Sequence, residues 1–267
     1  MDIFCIKFKR VLRKALIIVI LILPFNAILI GQDVGVGLGP VNYFMDYHPF
    51  TDAMKCVRWI DVASWDSNGF PTSANSGRYA TGRIGIASEG RLPDGEYVLT
   101  WEGEGDVIFY NSIFTLVSED LSGPIKRRVY DVETLDQGIG VRIISFPATN
   151  IKLWIPGYEN YPSIWNPEYT CYLSSFENSV LRFMDVGRTN NSDESTWLER
   201  TPDNWSSFVN QNNHSTAYDV VGGVSYEAMM ELCNEMNSDM WVCVPHLADS
   251  TYIHNLCLLY TSDAADD

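Results

Sequence analysis

Basic residues are scarce in this chain. Of 267 residues, 18 are Lys or Arg and 34 are Asp or Glu, a formal net charge of −16. A nucleic-acid binder needs a basic stripe facing the phosphates, so this balance excludes that class. Phosphate-cradling loops are missing as well: neither G-x-x-x-x-G-K-[ST] nor G-x-G-x-x-G occurs. No cofactor is therefore expected. No Cys-x-x-Cys pair and no zinc spacing is present, and His246 with Asp249 lacks a third ligand, so no metal is expected either. A G-x-S-x-G nucleophile elbow is also absent. Internal repeats and low-complexity tracts are not visible.

The one long apolar run lies at the start. Lys7, Lys9, Arg10, Arg13 and Lys14 precede Ala15–Ile30, the order of a secretion signal. The run is shorter than the roughly 20 residues a membrane span prefers. A signal peptide over 1–31 is expected, cut near Gly31-Gln32, with membrane contact only if it stays uncleaved. The chain is then secreted or held at the cell surface, where disulfides are allowed. Cys233 and Cys243 sit at apolar positions of a helix and a strand and read as buried free thiols. For Cys56 with Cys171 the spacing decides nothing.

Aromatic residues are plentiful, with eight Trp and fourteen Tyr. They suit a β-rich core, and flat rings also match the apolar faces of sugars. Leu38–Trp65 reads as an opening segment, and Asp66–Tyr79, rich in Ser, Asn, Gly and Pro, as loop. Short strands then follow at close spacing: Gly82–Ser88, Glu96–Glu102, Val107–Tyr110, Lys126–Val132, Gly140–Ser145 and Asn150–Ile155. In EYVLTWE, Tyr97, Leu99 and Trp101 share one face. Leu92-Pro93-Asp94-Gly95 and Gly103-Glu104-Gly105-Asp106 mark turns. This punctuation predicts an all-β sandwich, jelly-roll-like, over 32–156. A Pro-, Asn- and Tyr-rich connector covers 157–178, ending in a short helix over Glu168–Asn178.

Beyond it the pattern changes. Val180–Met184 and the unbroken apolar run Met240–Val244 read as strands, the second buried on both faces. Between them Met229, Met230, Cys233 and Met236 recur at helical spacing, and Asn237-Ser238 stops the helix. Strand, helix, strand predicts parallel neighbours and the first βα units of a TIM-type barrel over 179–256. Glu227 and Glu231, one turn apart on that helix, read as a solvated face. The long connection Thr189–Gly223 would wall a pocket.

The stretch Leu181–Ile253 resembles a group of secreted bacterial glycoside hydrolase-like, or "cellulose-binding", proteins. The blocks that carry this are LRFMDVGRTNNS, Trp197-Leu198-Glu199-Arg200-Thr201-Pro202 and GGVSYEAMMELCNEMNSDMWVCVPHLADSTYI, in that order. Cys243 stands where that group often has Asn, and Ser250 where it often has a second Asp. The resemblance implies a β-sandwich beside a (β/α)8 barrel, with polysaccharide or oligosaccharide as partner. It puts the paired catalytic carboxylates on later strands, so the catalytic residues are unknown here.

The substrate-binding candidates are Asp185, Arg188, Asn190, His246 and Asp249, gathered at two strand ends, with Trp197 on the long connection. Asp185 would accept from sugar hydroxyls or pair with Arg188. Arg188 would orient Asp185 or sit as a rim ion pair. Asn190 would bind a hydroxyl or cap a loop. Asp249 would fix the His246 tautomer or cap the helix that starts near Ser250. Finally, Cys257–Asp267, CLLYTSDAADD, resembles a translated transposase-type sequencing adapter, so the natural sequence is expected to end near Leu256. The fragment reading has a rival, a non-catalytic carbohydrate-binding or adhesion protein. If the signal is processed as expected, intact mass of the exported protein will match a chain starting at Gln32; a mass that retains Met1–Gly31 would instead mean an anchor.

Overall fold

The computed structural model describes residues 35–43, 48–85, 92–133, 138–175, 180–184, 186–189, 192–209 and 222–263. The expected signal peptide therefore lies outside the described residues, as do Asp185, Asn190 and the last four residues. In chain order the strands are β1 (Gly35–Gly37), β2 (Arg58–Ile60), β3 (Val62–Trp65), β4 (Pro71–Ala74), β5 (Ala80–Ile84), β6 (Gly95–Glu102), β7 (Asp106–Tyr110), β8 (Ile113–Asp120), β9 (Ile125–Glu133), β10 (Ile139–Ser145), β11 (Thr149–Trp154), β12 (Val180–Arg182) and β13 (Asp239–Trp241). The helices are α1 (Pro167–Ser174), α2 (Tyr226–Met236) and α3 (Ser250–Asp263).

Two antiparallel four-stranded sheets, ordered β2-β5-β10-β7 and β11-β6-β9-β8, face each other. The alternation in β6 works as the sequence predicts. Tyr97, Leu99 and Trp101 are fully buried and meet Val107, Phe109, Val141 and Ile143 of the opposite sheet in one core. Rings touch across the gap, with Tyr97 to Phe109 at 5.9 Å and Phe109 to Tyr130 at 5.5 Å. Leaving water stabilises each such side chain by roughly 1.5–3 kcal/mol. The predicted turn at Gly103-Glu104-Gly105 closes on Pro147. Gly105 N–H donates to the Pro147 carbonyl at 2.7 Å, and a Cβ on Gly103 (φ 101°) would strike that oxygen at 2.5 Å. Trp101 Nε1 donates to the Gly105 carbonyl at 2.9 Å, locking the turn to the core.

Two readings of this region need correction. Strand β4 and its partner β3 occupy part of the stretch read as opening segment and loop. Strand β8 is new: all eight of its residues are exposed, so neither face imposes a period of two on IFTLVSED. It is an edge strand held by β9.

The second unit is a parallel sheet in the order β1-β12-β13, with Val36, Leu181 and Met240 in register. The same-direction pairing of the Val180 and Met240 segments thus holds. Strand β1 belongs to this sheet, although the sequence reading grouped it with the sandwich; the sandwich is therefore inserted between two parallel neighbours. Strand β13 is shorter and more exposed than a doubly buried strand. Trp241 is 55 % exposed and Val244 39 %. Among the described residues β13 is the sheet edge, with no strand paired on its outer side. The structure is thus a mixed, strand-rich fold with several sheets and, among the described residues, three α-helices.

Local chemistry fixes the helix ends. The Ser225 hydroxyl accepts from Ala228 N at 3.2 Å and starts α2; Asn237, at φ 49°, ends it. Asn166 caps α1, with Pro167 in the first turn. Glu227 and Glu231 are not simply solvated. Glu227 pairs with Arg200 at 2.6 Å, and Glu231 accepts from Ile164 N at 3.0 Å.

The stretch predicted as connector carries the joint between the units. Trp165 is buried against Phe50 at 4.9 Å and donates from Nε1 to the Ala228 carbonyl of α2 at 2.8 Å. Beside it, the buried Asp52 Oδ1 accepts from Met54 N at 3.0 Å and from Leu153 N of β11 at 2.9 Å. Asp52→Ala strands both amides and is expected to cost about 2–4 kcal/mol in urea denaturation. Asp52→Asn keeps an acceptor oxygen and should cost clearly less. Equal losses would mean that the two hydrogen bonds are not what Asp52 contributes.

Candidate functional site

The segments that follow β12 and β13 meet. Asp249 N–H, after β13, donates to the Ser195 carbonyl, after β12, at 2.8 Å. Ser195 itself is held by Glu199, whose Oε2 accepts from Ser195 N at 2.7 Å and Thr196 N at 2.9 Å. Those donors hold the Glu199 carboxyl below the usual range. The loop is also tied to its base: Val224 N donates to the Val186 carbonyl at 2.9 Å, and the Thr201 hydroxyl to the Gly222 carbonyl at 3.0 Å.

Behind this crossing lies a buried polar chain. Tyr252 of α3 donates its hydroxyl to Glu194 Oε2 at 3.1 Å, and the Tyr226 hydroxyl of α2 stands 3.0 Å from that of Tyr252. Glu194 is only 5 % exposed. Burial favours its neutral form and pushes its pKa up to about 7, against the pull of the Tyr252 hydrogen bond and the Arg188 charge. Burial also raises both phenols, Tyr226 to about 12. The carboxyl therefore keeps its proton well above the usual glutamate range.

Trp197 packs over this chain. Its ring lies parallel to Tyr226 at 6.2 Å and edge-on to Tyr252 at 5.3 Å. The Arg200 guanidinium covers it at 4.3 Å while pairing with Glu227. A shallow cavity of about 540 Å³ opens beside Trp197 and Arg200, lined also by Asn255 and, from the Cys257–Asp267 stretch, by Leu258, Leu259 and Thr261. Comparison with protein-family models, with curated proteins and with solved structures finds no match.

The predicted residues fare differently. Trp197 sits in the cluster, and Arg188, at φ 55°, acts on Glu194 through its charge. Asp249 caps α3, with Tyr252 N donating to its Oδ1 at 2.6 Å. His246 is exposed in the turn after β13 and makes no hydrogen bond to Asp249 among the described residues. Asp185 and Asn190 lie outside the described residues. Cys56, Cys233 and Cys243 are free thiols, the first two buried, so Cys56 is not bridged to Cys171. Sequence reasoning missed Glu194 and the two tyrosines as a unit. Tyr226 and Tyr252 both lie in the last block of the resemblance, which was a signal; Glu194 had none, because only burial makes it unusual.

Folding takes up a proton at Glu194. Its contribution to stability is complete below pH 4.5, the ordinary glutamate value, and is lost as the pH climbs through about 7. The full difference is about 3 kcal/mol. Urea denaturation across that window should show stability falling as pH rises, and Glu194→Gln should flatten the slope. A slope unchanged by that substitution would place the titrating group elsewhere.

Proposed function

We propose that this chain is the opening part of an exported, glycoside hydrolase-like protein that binds or cleaves polysaccharide. In this reading the two-sheet unit is a jelly-roll-like sandwich, and β1, β12 and β13 are early strands of a (β/α)8 barrel. The observation that carries it is the convergence of the loops after β12 and β13, with Trp197 and the Glu194–Tyr252–Tyr226 chain where they cross. Barrel enzymes build their sites at the C-terminal ends of parallel strands. Export rests on the basic residues and apolar run at the start of the sequence. No described helix is long and apolar enough to cross a membrane.

Glu194 acts here as a positioning residue. It is too enclosed to reach a glycosidic oxygen, and its role is to hold the two loops and the tyrosines behind the rim. The paired carboxylates of a hydrolase belong, by the resemblance, to later strands. The same enclosure favours a second reading, a carbohydrate-binding protein that performs no hydrolysis.

Affinity electrophoresis of the full chain in gels containing soluble β-glucans should show retardation, without release of reducing ends. Trp197→Ala should weaken the retardation on the order of threefold to tenfold, the loss of one aromatic contact. Mobility unaffected by every polysaccharide would sink the binding claim. Reducing-sugar release by the chain itself would show that the catalytic groups are already present.

A further inference from the structure

The sheet β2-β5-β10-β7 turns one face to the core and the other outward. Trp59, Val107, Phe109, Val141 and Ile143 fill the inner face. Gly82 lies on that side as well, where an added Cβ would strike Val57 and Val141. Side chains alternate along each strand, so the outward positions carry Arg58, Arg83 and Arg142, with Tyr110 beside them. The chain as a whole has a formal charge of −16. On these four strands the only acid is Asp106, and Arg128 of the other sheet holds it at 2.7 Å.

Among the described residues none of the three guanidiniums pairs with a carboxylate. Arg58 stands directly opposite Arg83 in the antiparallel ladder. Like charges so placed, with Cβ atoms about 4.5–5.5 Å apart, destabilise the pairing. On its other side Arg83 faces Gly140, which has no side chain to screen it. Arg142, two residues beyond Gly140, is the diagonal neighbour, about 7–8 Å away. Tyrosines meet these arginines instead of acids. Arg58 donates to the Tyr43 hydroxyl at 2.7 Å, and Arg142 lies 3.9 Å from the Tyr110 ring and 5.4 Å from that of Tyr79. Arg142 is half-buried with its Nε enclosed, so it supplies charge and holds the rings. Arg83 is exposed, and so is Tyr79 at 48 %.

We propose that this outward face binds an acidic oligosaccharide, with a sugar carboxylate on Arg83 beside Arg58 and a sugar ring against Tyr79. A guanidinium takes a carboxylate through two parallel hydrogen bonds. An anion between the opposed arginines also removes their mutual repulsion. Tyr79 and Arg83 are separated by about 13 Å along the strand, so the ligand must be several sugars long. A nucleic acid duplex, with one charge per about 1.7 Å, needs a longer basic stripe than this face offers. Repulsion from the acidic remainder of the chain is screened beyond about 8 Å at 0.15 M ionic strength. The face shares no residue with the Trp197 cluster, and the proposal does not rest on the barrel reading.

The test is isothermal titration calorimetry of the full chain at 0.15 M salt with three probes: tetragalacturonate, the neutral cellotetraose and the peptide tetraglutamate. Saturable binding of tetragalacturonate, clearly tighter than of the other two, supports the site. Arg83→Gln should weaken it by about tenfold with the circular dichroism spectrum unchanged. Arg83→Lys, which keeps the charge but not the planar fork, should recover part of that loss. Tyr79→Ala should weaken binding by about threefold through lost ring contact. No binding of tetragalacturonate, or equal affinity in Arg83→Gln, overturns the proposal. Equal affinity for tetraglutamate overturns it too, because the face would then read charge alone, as a surface for acidic peptides does. Equal affinity for cellotetraose would show that the arginines take no part. Trp197→Ala should leave tetragalacturonate binding unchanged, so failure of the β-glucan reading and failure of this one are told apart.

Discussion

A single carboxylate, Asp52, sits where the two units are joined. Its Oδ1 holds the amide of Met54, and so the short turn Ala53–Cys56, against the amide of Leu153 in β11. Burial alone would favour its neutral form, and Lys55 and the two amides oppose that. Lys55 in turn donates to the carbonyls of Asp203 and Trp205, both at 2.8 Å. One short segment therefore fastens the sandwich to the loop that returns from β12. Phe50 extends the joint with aromatic contacts to Trp165 and Phe208 at 4.9 and 5.6 Å. Polar groups set the register at this seam and apolar rings fill the space around them. One core consequently runs from Trp101 to Tyr252 without a break.

The joint positions the candidate site. The same loop that Lys55 anchors leads through Thr201 and Arg200 back to Glu199, Ser195 and Glu194. Were residues 201–209 loose, the crossing between Ser195 and Asp249 would carry the entropy of ordering both loops by itself. Anchored at one end to the sandwich and at the other to α3, the loop presents Trp197 at a fixed place. In the buried Glu194–Tyr252–Tyr226 chain each hydroxyl finds the next oxygen.

Much of this was legible in local pattern. The β6 alternation, the turn at Gly103–Gly105, the helical spacing over Tyr226–Met236 and the stop at Asn237 all behave as their residues dictate. Each depends on short-range sterics or on a single buried face. The parallel pairing of the Val180 and Met240 segments was also readable, because a helix between two apolar runs brings them back in the same direction. The misses share a cause. Strand β8 buries neither face, and β1 is a three-residue glycine-bearing strand whose partner lies far along the chain. Neither leaves a periodic trace.

The sequence by itself determined where helices and most strands form, that the chain is acidic and aromatic, and which loops would lie near one another. Tertiary structure alone decided the chemistry of particular groups. Glu194 and His48 are ordinary letters in the sequence; one becomes a carboxyl titrating near neutrality and the other a buried neutral imidazole with no hydrogen-bond partner among the described residues. The physical reason is that a side chain's charge state and unmet hydrogen bonds depend on how much water the surrounding elements remove. That quantity is set by contacts between residues distant in sequence, as Tyr252 is from Glu194 and Asn166 from His48.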